Sequence, residues 1–124
     1  MPESLGYVSS PFNYDRLVAG DYPLVTRSVV LLAGENRLRG TLLGKISVGG
    51  KYRLSLTASV DGSEVPDAIL AKDTDASAAD LTTVVYLSGE FNEEAVVYGT
   101  AHTKASVADG LRDKNIYLKA PVKK

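Results

Sequence analysis

DGSEVPDAILAKDTDASAADLTTVVYLSGEF, residues 61–91, decides the fold. A short apolar run, Ala68 to Ala71, leaves a proline-containing turn, and a polar Asp/Ala/Ser/Thr segment then feeds a longer run from Thr83 to Phe91. Side chains alternate between the faces of a strand, so Val84, Tyr86 and Ser88 share one face and Val85, Leu87 and Gly89 the other. Apolar residues on both faces mark a strand covered on both sides, and this one is expected to be central. The stretch carries almost no reactive side chains; it is sequence that holds a shape.

Working outward, strand signals begin after Pro23. Val25 to Leu32 is β-branched and apolar, Gly34-Glu35-Asn36 reads as a turn, and Arg39 to Ser47 alternates loosely, which predicts a first hairpin. Gly49-Gly50 separates Lys45–Val48 from Lys51–Ala58 and predicts a second, because two glycines accept the positive φ angles of a tight turn. In its second arm Tyr52, Leu54 and Leu56 are expected to point inward, with Arg53, Ser55 and Thr57 on a wet face. Thr103 reads as the N-cap of one helix, Lys104 to Lys114, burying Ala105, Ala108, Leu111 and Val107. Gly110 weakens that helix by ~1 kcal/mol relative to alanine. Ile116-Tyr117-Leu118 predicts a short closing strand. The fold class is therefore mainly β, a β-rich α+β arrangement: a small single-domain sheet or barrel-like body with one short C-terminal helix. Residues 1–22 mix Ser, Pro, Gly, Asn and Tyr without a lasting period and read as a flexible N-terminal arm, with the domain proper at 23–124.

At 124 residues the chain suits one domain with its own core, and 44% hydrophobic residues argue against wholesale disorder. A formal charge of −1 gives no electrostatic reason to expect a nucleic acid partner. The longest purely apolar run, Val29 to Ala33, is far short of the ~20 residues a bilayer span needs, so no membrane partner is expected. The N-terminus lacks the basic-then-apolar pattern of a signal peptide, and the absence of cysteine suits assembly in a reducing cytoplasm.

Candidate chemistry is sparse. His102 is the single histidine, too few for a triad or a histidine metal site from spacing alone, and reads as a surface or turn residue. Asp73, Asp75 and Ser77, with Asp80 beyond, open like a calcium loop, but Ala78 stands where a glycine is required and Val84 where a bidentate glutamate is required. A solvated acidic loop is the expectation. Gly49-Gly50-Lys51 fails as a phosphate loop, with Lys45 in place of its first glycine and Tyr52 in place of its Ser/Thr. Glu90, Glu93 and Glu94 read as solvated charge. No catalytic, cofactor or metal residues are assigned, and no enzyme activity is expected. Seven tyrosines against no tryptophan are unusual, and Tyr7, Tyr14 and Tyr22 fall in the arm with Phe12, Leu17 and Val18. Aromatics in a segment without a core of its own point to a partner surface.

The 61–91 stretch, with GDYPLV at 20–25 and RGTLLGKI at 39–46, resembles the head decoration proteins of tailed bacteriophages, the group that includes phage lambda's. The likeness to lambda's rests on Asp61-Gly62, on Ile69 and Leu70 with Asp73 beyond, and on Tyr86-x-Ser88-Gly89-x-Phe91; the broader one runs over roughly residues 20–122. It implies a cementing role without catalysis: homotrimers on the outer surface of the expanded head at threefold and quasi-threefold sites. There they bridge neighbouring major capsid proteins and hold the shell against packaged DNA, after synthesis as late proteins in the host cytoplasm. Tyr14, Tyr22, Leu24 and Val25 are the candidate capsid-binding residues, chosen for aromatic or β-forming character beside the first strand. Deleting Met1 to Asp21 is expected to abolish binding and leave thermal unfolding unchanged. The alternatives are another virion component, in the tail or at head completion, and a small ligand-binding β domain.

Overall fold

The structure is a computed structural model and describes residues 17–120. Its elements are β1 (Val25–Leu31), β2 (Glu35–Arg37), β3 (Leu42–Lys45), β4 (Tyr52–Leu54), β5 (Pro66–Leu70), β6 (Thr74–Ala76), β7 (Leu81–Asn92), α1 (Lys104–Arg112) and β8 (Ile116–Lys119). Strands β1, β4, β3, β5 and β7 follow one another around a barrel-like sheet that closes where β7 returns to β1. β8 joins β7 in parallel through α1, and β2 and β6 form a separate two-stranded ribbon.

β7 is central, as its two apolar faces require: β1, β5 and β8 all pair with it. It separates two clusters. Val85 lies with Leu31, Leu43, Tyr52, Ala68, Leu70 and Ala76, whereas Phe91 lies with Leu17, Leu42, Ile69, Val96, Val107, Leu111 and Ile116. Tyr86, an even-numbered residue, and Phe91, an odd one, reach the same cluster, their ring centroids 5.4 Å apart. The register shift opposite Val25 and Thr26 accounts for this, since one extra residue in a strand moves every later side chain to the other face.

The second hairpin forms as read, with Leu43–Leu54, Gly44–Arg53 and Lys45–Tyr52 in register and φ of +93° and +76° at Gly49 and Gly50. The first does not. β1 leaves β3 alone and pairs antiparallel along β7, while the expected turn at Gly34-Glu35-Asn36 instead begins β2, which pairs with the polar segment that becomes β6. Glu35 explains the diversion: it is buried and accepts from Arg37 Nε and from the Leu54 N–H, both at 2.9 Å. Burial alone raises a carboxyl's pKa, but these two bonds and the Arg37 and Arg53 charges outweigh it and hold Glu35 below its ordinary value. Ser55 is also not on a wet face; it is wholly buried.

Thr103 caps α1 in a reciprocal box, its Oγ1 accepting from Ser106 N–H and its N–H donating to Ser106 Oγ. Val107 and Leu111 are the buried pair; Ala105 is exposed, because a helix only nine residues long lays one narrow stripe on the core. The helix ends at Arg112 rather than Lys114, where Lys114 N–H turns back to Leu111 C=O and Asn115 takes φ +67°. A Cβ on Gly110 meets no heavy atom within 4 Å. Gly110→Ala is therefore expected to stabilise the domain by up to about 1 kcal/mol, raising the midpoint of thermal unfolding by a few degrees. An unchanged or lower midpoint would contradict the exposed helical setting given to Gly110.

Candidate docking surface

From Leu17 to Leu31 the chain runs antiparallel to β7, touching it first at Val18–Phe91 and again from Val25 onward. Ala19 N–H donates to Glu90 C=O at 2.8 Å, Asn92 N–H donates to Leu17 C=O at 2.7 Å, and the Leu17 side chain is fully buried. Between these anchors, residues 20–24 arch outward and are held from below. Glu90 Oε1 accepts from Tyr22 N–H at 3.2 Å, and Ser88 Oγ donates to Pro23 C=O at 2.8 Å. The Tyr22 N–H is the first reason the Glu90 carboxyl stays below the usual carboxylate range, with the Lys119 ammonium, 3.6 Å away, adding to it.

The arch presents apolar side chains to solvent. Tyr22, Leu24 and Val25 are 37%, 44% and 49% exposed. Tyr22 packs edge-on against Tyr117 of β8, with ring centroids 4.9 Å apart. Leu24 lies over Gly89, where a Cβ would come within 2.5 Å of Leu24 Cδ2; the missing side chain is what lets leucine settle there. Single exposed apolar residues are ordinary; here three stand within four consecutive positions, 22–25. Three of the four sequence candidates thus meet in one place, and Tyr14 lies outside the described residues. Tyr117 and the supporting Glu90 were missed. Ile-Tyr-Leu reads as strand core, and nothing local in the sequence marks its tyrosine as the floor under Tyr22.

The other candidates are occupied locally. His102 is half-buried in the turn before α1, its Nε2 3.1 Å from Ser55 Oγ. That pairing resembles a nucleophile with its base, but Ser55 has no exposed surface through which a substrate carbonyl could reach it. Asp73 accepts from Arg39 N–H, Asp75 from Ser77, and Asp80 from Ala33 N–H while it also pairs with Lys51. Their oxygens turn to separate donors, and among the described residues no three acidic, histidine or cysteine side chains gather as a metal site needs. Glu93 pairs with Lys104 beside the helix start. A shallow hollow of about 450 Å³ is lined by Leu38, Arg39, Ala71, Lys72 and Asp73. Its polar groups bind one another, Arg39 Nη1 donating to Ala71 C=O and to Tyr86 Oη, instead of converging on a ligand.

Among the described residues no helix is long and apolar enough to cross a membrane. No curated protein matches the chain. The sequence model of the family described as bacteriophage lambda head decoration protein D matches residues 7–116, a span that includes the barrel, the arch over Glu90 and the whole of α1. With that match over most of its length, the chain belongs to the family of bacteriophage head decoration proteins, structural proteins of the phage capsid.

Proposed function

We propose that the protein cements the expanded head of its phage, binding as trimers at threefold and quasi-threefold positions on the outer surface and bridging neighbouring major capsid proteins against the pressure of packaged DNA. The family match carries this reading. The exposed Tyr22, Leu24 and Val25, with half-buried Tyr117 against Tyr22, support it with a surface beside the point where residues 1–16 join the body. In this reading those residues, with Tyr7, Phe12 and Tyr14, add an extended segment to a capsid strand and seat their aromatics in its grooves. Three such segments on one trimer act together, and avidity supplies ~100-fold or more over one alone. The role needs no reaction, no cofactor, no membrane and no nucleic acid contact.

Cosedimentation with expanded heads lacking the protein tests this. Saturation near the number of local threefold positions is expected, together with loss of binding when residues 1–16 are removed. Saturation at a dozen copies or fewer points instead to a portal-linked or tail role, and binding of equal strength to unexpanded shells contradicts a surface assembled by expansion.

A further inference from the structure

One edge of β1 is paired with β7 along the whole strand. The other edge meets β4 once, at Leu31–Tyr52, where Leu32 N–H donates to Tyr52 C=O at 2.9 Å. Residues 25–30 have no strand on that edge among the described residues, so the barrel is closed there by a single ladder pair. β7 fixes which main-chain groups are left open. Val84 C=O accepts from Ala71 N–H just past β5, so alternation turns Thr83 and Val85 toward β1. Their partners Val29 and Arg27 face β7, which leaves the N–H and C=O groups of Thr26 and Ser28 facing outward. Leu32, in the same phase, is the residue that does reach β4.

An unpaired edge of this kind is a template for another strand. No proline interrupts it, the register is regular from Thr26 to Leu31, and residues 25–28 are exposed. Arg27 sits midway along it and makes no ion pair among the described residues. The edge also continues directly from the Tyr22–Val25 surface. Resting on the capsid reading above, we propose that the major capsid protein lays an extended segment along this edge, hydrogen-bonded to Thr26 and Ser28, with an acidic side chain against Arg27. The open main-chain groups select an extended partner, and the uncompensated guanidinium selects its charge. The decoration protein then receives a strand from the shell as well as contributing one to it.

Ser28→Pro removes an outward N–H and leaves the β1–β7 ladder intact, which is the setting where a strand tolerates proline. Full-length wild type, Ser28→Pro and Arg27→Glu are titrated against expanded heads lacking the protein, with hydrogen exchange followed over residues 25–31. The wild type is expected to saturate the heads and to gain protection at 25–31 only when bound. Ser28→Pro is expected to bind at least about tenfold more weakly with an unfolding midpoint near wild type, and Arg27→Glu to weaken likewise. Equal binding by Ser28→Pro, or an unprotected 25–31 on saturated heads, overturns the inference and leaves the decoration role standing. Exchange on the wild type decides alone if the proline variant does not fold. Protection that grows with concentration in the absence of heads assigns the edge to a second copy of the chain and overturns it too. Failure of the wild type to bind overturns the decoration role and this inference together.

Discussion

Removing residues 1–21 is expected to lower stability by on the order of 5 kcal/mol more than removing residues 1–16 does. The difference lies in Leu17 and its main chain. Deleting a fully buried leucine costs ~2–5 kcal/mol through lost transfer energy and the cavity it leaves. The same cut takes away the acceptor of Asn92 N–H and the donor to Glu90 C=O, at ~1 kcal/mol each. For a domain of this size the longer truncation corresponds to a fall in Tm of roughly 15 °C or more, easily read by calorimetry. The expectation that a cut at Asp21 spares stability is thereby revised, since Leu17 belongs to the core. A capsid-binding assay on the longer truncation confuses a lost contact with a lost fold; the cut before Leu17 separates them. Equal midpoints for the two truncations would show that Leu17 is not seated as described.

Gly44→Ala is expected to be severely damaging for a single methyl, costing about 3 kcal/mol or more and lowering Tm by roughly 10 °C or more. Gly44 lies in β3 between β4 and β5, and a Cβ there would fall 2.0 Å from Ser63 C=O oxygen and 2.6 Å from Ser63 Cα. Those atoms are backbone, so no rotamer change relieves the overlap. Ser63 is itself buried and tied by its N–H and hydroxyl to Asp61. The Asp61-Gly62 turn therefore cannot retreat without losing these bonds and the Ser47 N–H to Asp61 C=O bond behind them. Gly110→Ala, the same change in open space, is the internal control, and the two variants are expected to move in opposite directions. A Gly44→Ala midpoint within about 2 °C of wild type would mean that the loop yields.

What the sequence discloses here follows the range of each signal. Two glycines at Gly49-Gly50, a threonine before α1 and the double-faced run of β7 act through near neighbours or through periodicity, and all three read correctly. The partner of β1 was misread because periodicity identifies a strand without naming its neighbour, and the nearest following strand was the natural choice. β7 takes it instead, from fifty or more residues away in the chain. Ser55 was misplaced for a related reason: alternation gave its side correctly, but that side is covered by the Gly99–His102 turn, where Gly99 is small enough to approach the Ser55 carbonyl. At the surface, Tyr22, Leu24 and Val25, chosen for aromatic or β-forming character beside the first strand, are exposed side by side. Tyr117 was out of reach because its place against Tyr22 depends on β8 lying parallel to β7, a pairing made through the helix, and Glu90 because its bond to Tyr22 N–H depends on residues 20–24 passing over β7.

The last four residues of β7 hold both ends of the described chain, with Val18 bridged to Phe91 and β8 aligned from Gly89 to Asn92. Mechanically, this makes the end of β7 a cleat. Tension on residue 17 along its own strand loads two hydrogen bonds and the socket of Leu17 together, instead of peeling them apart in turn. A load entering through the N-terminal segment is borne at the cleat before it reaches the single ladder pair between β1 and β4, the shortest pairing in the barrel wall.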